Sequence, residues 1–168
     1  IIQEKQIGPT LGQEGVKKGV YASIIALIAI TLFMIVYYKI SGLFTTLTII
    51  SCLALLFALM SLINTTLTLP GVIGIVLTIG MCVDANVLIF ERIRENFKNN
   101  SENPKSEGFN AAYVTILDSN LTTLFAAVFL FAFGFGPIRG FSISLIIGIM
   151  SSLIVTYIIL KLFINATP

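Results

Sequence analysis

Long apolar stretches separated by short polar breaks run through this chain, and the stretches are longer than a soluble strand or helix requires. Five of them, at about 19–38, 43–63, 69–90, 111–133 and 141–163, are close to or above the roughly 20 residues with which a helix crosses a bilayer. None shows the alternating strand pattern of a membrane β-barrel, about ten residues per span. Helices are the other way to satisfy every backbone group in lipid. The predicted fold is all-α, a polytopic membrane helix bundle over residues 19–168. The breaks at 39–42, 64–68 and 134–140 are tight and make successive helices antiparallel neighbours; Gly134-Phe-Gly-Pro137 is a turn signal. The break at 91–110 alone is long, polar and charged, and predicts a loop. Residues 1–18, with Gly8, Pro9, Gly12 and Gly15, read as the tail of a preceding external domain and a linker. With Ile1 at its start and no signal sequence before the first run, the chain reads as a piece of something larger.

The polar and small positions inside the runs predict which faces are buried. In the third run Gly71, Gly74, Thr78, Cys82 and Ala85 recur at three- and four-residue steps, a stripe that lets helices approach closely in lipid. Gly80, Asp84 and Glu91 fall on another face and Asn86 on a third, so this helix is predicted to be the centre of the bundle. The fifth run offers Ser144, Gly148, Ser152 and Thr156 at strict four-residue steps, and the second offers Ser51, Ala54, Ala58 and Ser61. The fourth carries a polar stripe of Thr115, Asp118 and Thr122, flanked by Ala111 and Ala126, with Asn120 and Thr123 directed elsewhere. The first run is Ile- and Leu-rich nearly all round and is placed at the periphery.

Composition narrows the class. Of 168 residues 57% are hydrophobic and 11% charged, with a mean hydropathy of +1.00. A soluble domain carries about 25% charged residues. A net charge of +2 without a long basic stretch argues against nucleic acid as a partner. Histidine is absent, and Cys52 and Cys82 lie in different runs outside any metal-spaced cluster, so no metal or other cofactor is expected and both read as packing residues. Lys39, Arg92, Arg94, Lys98, Lys105 and Lys161 collect on one side of the predicted bundle, and Lys5, Lys17, Lys18 and Arg139 on the other. That bias places the 91–110 loop in the cytoplasm.

Asp84 is the candidate for chemistry. It lies inside the third run, where a carboxylate costs about 2.5 to 3.5 kcal/mol even on lenient insertion scales, and membrane carboxylates mark ion or proton sites. Burial there disfavours the charged form. The alternative is a structural carboxylate capped by neighbouring hydroxyls and amides. Asp118 is either an interfacial carboxylate or a member of the same polar network. The Glu91, Arg92 and Arg94 cluster is a hydrated helix end, or a group that passes protons or contacts a partner. No nucleotide-binding loop or nucleophile stands out, so an enzyme is not expected.

Three segments resemble a known family. Gly8-Pro-Thr-Leu-Gly12, Leu69-Pro-Gly-Val-Ile-Gly74 and the long run from Leu77 through Met-Cys-Val-Asp84-Ala-Asn86-Val-Leu-Ile-Phe-Glu91 to Glu95 are similar to the membrane half of the SecD family. Thr115-Ile-Leu-Asp-Ser-Asn-Leu-Thr-Thr123 and Gly134-Phe-Gly-Pro-Ile-Arg-Gly-Phe141 resemble its next two motifs in order, and Cys82 stands where Ala is more usual. The resemblance covers essentially the whole chain. It implies a resistance-nodulation-division fold with six helices per half, of which this chain would hold the second to sixth. It implies a multi-pass protein of the bacterial cytoplasmic membrane that uses the proton gradient to assist protein export. The implied partners are SecF, the SecYEG channel, the translocating preprotein and membrane lipid. By position Asp84 matches the family's membrane aspartate, and Asp118 and Asn120 its neighbouring polar motif. The competing readings are a small-molecule efflux transporter of the same superfamily and a scaffold subunit without proton traffic.

Overall fold

In a computed structural model, residues 9–65, 68–100 and 102–166 form five helices: α1 (Pro9–Tyr38), α2 (Ile40–Leu62), α3 (Leu69–Lys98), α4 (Pro104–Phe133) and α5 (Pro137–Ala166). No strand occurs among the described residues, and each helix contains a segment long and apolar enough to cross a membrane. The chain is a multi-pass membrane protein. Helices of 30 residues are about 45 Å long, more than the hydrocarbon thickness of about 30 Å, so their ends project into the interfaces.

Several boundaries differ from the sequence reading. α1 begins at Pro9, not at residue 19, so the presumed linker is helical where it is described. Pro suits a first helical position. Gly15, one of the glycines that marked the linker, is a contact point, as is Gly19: a Cβ on Gly15 would lie 3.3 Å from Leu69 Cδ2, and one on Gly19 3.2 Å from Val72 Cγ1. α3 runs on to Lys98, so the expected 91–110 loop shrinks to residues 99–103. The charges that suggested a loop sit at helical i,i+3 spacing, Arg92 Nη1 on Glu95 Oε2 at 2.9 Å and Arg94 Nη1 on Glu91 Oε1 at 3.7 Å. Such pairs support a helix that has left the membrane. Asn100, at φ 52°, ends it, and Pro104 opens α4. Likewise Pro137 opens α5 ahead of the expected residue 141, after Gly136 turns the chain at φ 52°.

α3 is central and touches all four other helices, whereas α1 touches only α2 and α3 among the described residues. The small-residue stripe of α3 is buried throughout, and Gly71, Gly74 and Thr78 meet Ser144 and Gly148 of α5. A Cβ on Gly74 would stand 3.1 Å from Ser144 Cβ, and one on Gly148 would collide with Thr78 Oγ1. Ser144, Ser152 and Thr156 are buried on the same side of α5.

The stripe expected on α2 is not used in this way. Ala54, Ala58 and Ser61 are exposed, and the buried face is Thr45, Thr48, Ile49, Cys52, Leu56 and Met60. β-branched and long apolar side chains fill the space between α2 and α5 better than alanine. Cys52 and Cys82, from different runs, meet side chain to side chain in this core.

Lys39, Arg92, Arg94, Lys98, Lys105 and Lys161 all lie at or near helix ends on one side of the bundle; Lys17, Lys18 and Arg139 lie toward the other, and Lys5 is outside the described residues. The 99–103 turn is therefore predicted to be cytoplasmic. A cysteine placed at Asn100 should react with a membrane-impermeant thiol reagent only once the inner face is opened; labelling of intact cells would invert the topology.

Candidate functional site

Asp84 stands two-thirds of the way along the apolar part of α3, one position past the core face formed by Thr78, Cys82, Ala85, Asn86 and Ile89. That offset puts its carboxylate beside α4, in a cleft of about 230 Å³. Met81, Ala85 and Leu88 of α3 wall one side; Ile116, Ser119, Asn120 and Thr123 of α4 form the other. Asp84 has no hydrogen bond or ion pair among the described residues, and its side chain is exposed at an open face of the bundle. The expected burial is therefore not supplied by these five helices. Gly80, one turn earlier on the same face, likewise has nothing within 4 Å of a hypothetical Cβ, and Ile73 and Leu77 continue this open apolar strip.

The α4 side of the cleft has a distinct chemistry. Asn120 is 8% exposed, and its Nδ2 donates to the Ile116 carbonyl at 2.8 Å. Ser119 Oγ donates to the same carbonyl at 3.0 Å, and Thr123 Oγ1 donates to the Ser119 carbonyl at 3.2 Å. The two hydroxyls spend their single donors on their own helix and Asn120 spends one of its two N–H donors there, so what remains for the cleft is the hydroxyl lone pairs, the Asn120 carbonyl oxygen and one Asn120 N–H. A protonated Asp84 can donate to these groups. An ionised Asp84 can accept from the second Asn120 N–H, and from a hydroxyl only if that hydroxyl leaves its carbonyl.

Sequence reasoning ranked the residues of α4 differently. Asp118, Thr115 and Thr122 are exposed on the outer face, with both threonine hydroxyls donating to carbonyls of α4 itself, and none of the three lines the cleft. Asn120 and Thr123, directed elsewhere in that reading, line it together with Ser119. The reason is the inward period of α4, Phe109, Ala112, Ile116, Asn120 and Ala127, which carries Asn120 to the α3 side. Gly108, at its start, also went unremarked, although a Cβ there would come within 2.8 Å of the Ile93 backbone.

Asn86 belongs to the core face and does not form a separate third face. It is fully buried, its Nδ2 donates to the Cys82 carbonyl at 2.7 Å, and its Oδ1 has no partner among the described residues. At the charged end of α3, Glu91 Oε1 accepts from Tyr38 Oη at 3.1 Å and ties α1 to α3, while Arg92 and Arg94 stay largely exposed. Among the described residues no three acidic, cysteine or histidine side chains come together.

The comparisons with known proteins agree on one relationship. Residues 1–166 match the family described as Protein export membrane protein SecD/SecF, C-terminal. The chain is 47% identical over 155 residues to the protein translocase subunit SecD of Calditerrivibrio nitroreducens, covering 91% of this chain and 30% of that protein. To its counterpart in Rickettsia prowazekii it is 48% identical over 167 residues, covering 98% and 32%. The chain thus spans about a third of the length of the curated relatives it matches. The crystal structure of SecDF from Thermus thermophilus, titled a translocon-associated membrane protein, superposes with a TM-score of 0.87 at 38% identity over 92% of this chain and 22% of that one. A structure of SecDF in a super-membrane-facing form gives 0.84 at 37% identity, over 95% and 23%. With the family match extending across nearly every residue, the chain belongs to the SecD/SecF family of protein-export membrane proteins, as the C-terminal membrane portion of its SecD branch.

Proposed function

We propose that this chain is the membrane portion of a protein-export subunit and that Asp84 draws on the proton gradient. The observation that carries the reading is the cleft: a carboxylate in the apolar part of α3 set against Asn120, Ser119 and Thr123, whose hydroxyl donors and one Asn120 N–H are turned to their own backbone. Protonated, Asp84 donates into this acceptor wall. Ionised, it requires donors, and beyond the second Asn120 N–H a hydroxyl must leave its carbonyl, which alters how α4 sits on α3. Protonation thereby biases two helix arrangements, the element a transport cycle needs. The partners in this reading are a SecF half laid on the open face of α3 and α4, the SecYEG channel and the translocating preprotein, in the bacterial cytoplasmic membrane. No covalent chemistry is assigned.

The scaffold reading also has an observation in its favour. Asp84 is exposed at an uncovered face, where a cation from a partner would make it a static interface pair. The two readings separate on late-stage export into inverted vesicles holding the complete complex. Under the proton-coupled reading, a gradient accelerates release of a preprotein already inserted by ATP, and an ionophore removes the acceleration. Equal release with and without the gradient favours the scaffold.

Asp118 is assigned a subordinate role on the outer face of α4, one position from the cleft residue Ser119. Asp118→Asn should lower gradient-stimulated export to a level between wild type and the uncoupled complex while assembly stays normal. Complete loss would place Asp118 on the proton route itself.

A further inference from the structure

Between α1, α2 and α3 the bundle leaves an apolar slot of about 140 Å³, which shares no residue with the Asp84 cleft. Its origin lies in the small residues of α1. At Gly15 and Gly19 that helix closes on Leu69 and Val72 of α3. One turn deeper α1 has no glycine, and a gap opens between Ser23 and Ile24 of α1 and Ile75 and Ile79 of α3. Leu27 and Leu53, packed on the core around Ile75 and Ile79, form its floor. Exposed Val20, Ile24 and Phe57 form its mouth, which opens to the membrane surface of α1 and α2.

The lining excludes water and polar ligands. Ser23 brings the one side-chain polar atom, and its Oγ donates to the Gly19 carbonyl at 2.7 Å. An apolar cavity of about 150 Å³ stays dry and takes a small hydrocarbon such as benzene. A second helix, about 10 Å across, is too wide to enter such a space. A flexible hydrocarbon chain fits it.

The depth of the slot identifies where that chain comes from. At the helical rise, Val72 to Ile79 lie about 4 to 15 Å from the start of α3. Phe57 and Leu53 lie about 7 to 14 Å from the end of α2 at Leu62. Ser23 to Leu27 lie about 6 to 12 Å from Gly19, where the apolar run of α1 begins. Three helices thus place the slot within a single leaflet, whose hydrocarbon is about 15 Å deep, on the side of Lys17 and Arg139. We propose that the slot seats one acyl chain of a phospholipid from that leaflet. Between helices in lipid there is no hydrophobic driving force, so van der Waals packing decides what stays. An unfilled gap forfeits dispersion contacts along its walls, and the chain restores them. Among the described residues α1 touches only α2 and α3, so a seated chain gives the least embedded helix a further flank.

The test uses the full-length protein in nanodiscs of phosphatidylglycerol in which one acyl chain carries a photoreactive diazirine near its middle. After illumination, peptide mass spectrometry should find the label at Ser23, Leu53 and their slot neighbours several-fold above the lipid-facing Phe125 and Phe129 of α4. Ser23→Leu fills the slot from α1, and the hydroxyl it removes bonds only to its own helix. Slot labelling should then fall to the level of the α4 surface, with labelling of α4 itself unchanged. If that variant assembles poorly, Leu53→Phe fills the slot from α2 and should protect it in the same way. Wild-type labelling equal at the slot and on α4 would reduce the slot to ordinary lipid contact and overturn the proposal. Slot labelling below that of α4 would mean that another part of the protein covers it, and undiminished labelling in a filled variant would place the chain elsewhere; either result would also overturn it.

Discussion

Asp84→Asn should leave a complex that inserts, assembles and supports the ATP-driven early stage of export, yet gains nothing from a proton gradient. Asparagine keeps the size of the side chain and donates to the same acceptor wall of Asn120, Ser119 and Thr123 as a protonated carboxyl would. It cannot lose that donor, so it holds one of the two arrangements of α4 on α3. The gradient supplies about 2.3 kcal/mol per charge per 100 mV, which is roughly a 50-fold bias at each cycle. Without a titrating group that bias has no point of entry. Late-stage export should fall to the rate of wild type with the gradient collapsed. Full stimulation of the Asn variant at normal expression would remove Asp84 from the mechanism.

The second large effect is expected at the contact between α3 and α5. Gly148→Leu should prevent normal assembly, because even a Cβ at this position collides with Thr78 Oγ1 and approaches Thr78 Cγ2 at 2.8 Å. Thr78 is fully buried and its hydroxyl donates to the Gly74 carbonyl at 2.9 Å, so it has no empty space to enter. Overpacking a filled core costs about 1–3 kcal/mol and at times more, and here it parts the two most central helices. Gly74→Leu should act in the same direction. Gly80→Ala is the control on the same helix: nothing lies within 4 Å of its added carbon, and helical folding of this chain should be unaffected. Protease resistance and yield of the detergent-solubilised protein measure the difference. Wild-type behaviour of Gly148→Leu would mean that α3 and α5 do not meet as described.

What could be read from sequence divides along physical lines. The stripe Gly71, Gly74, Thr78, Cys82 and Ala85 was legible because close helix contact in lipid selects small residues at three- and four-residue steps, and few other pressures produce that period. That Asp84 interrupts an apolar run was legible because charge there is rare, whereas its exposure on the open side of α3 was not. The extent of α3 was not, since Glu91 to Lys98 reads as a loop by polarity and as a helix only once the i,i+3 pairing of Arg92 with Glu95 is considered. The α2 stripe failed for the opposite reason: Ala54 and Ala58 have helical spacing, but small residues also sit on outward faces, and only the contacts with α5 single out Thr48, Cys52 and Leu56. On α4 the reading followed charge to Asp118, whereas packing follows size and brings Asn120 to the cleft. Which residues of two helices face one another depends on their mutual rotation, and a single sequence does not contain that angle.

The outward position of Asp84 also defines what the rest of the protein must do. Exposed Ile73 and Leu77 beside it, with open space over Gly80, form a surface that lipid or a second helical half must cover. Under the proposed function a SecF half covers it, and the dryness of the cleft then depends on both halves together.

The central claim, that Asp84 takes up and releases a proton in this cleft, is tested most directly by infrared difference spectroscopy of the complete complex in membranes as the pH is stepped. The account predicts a protonated carboxylic-acid carbonyl band that appears with acidification, is absent in Asp84→Asn, and changes frequency in Asn120→Leu, where the acceptor across the cleft is lost. A spectrum in which Asp84→Asn removes no such band at any pH would contradict it.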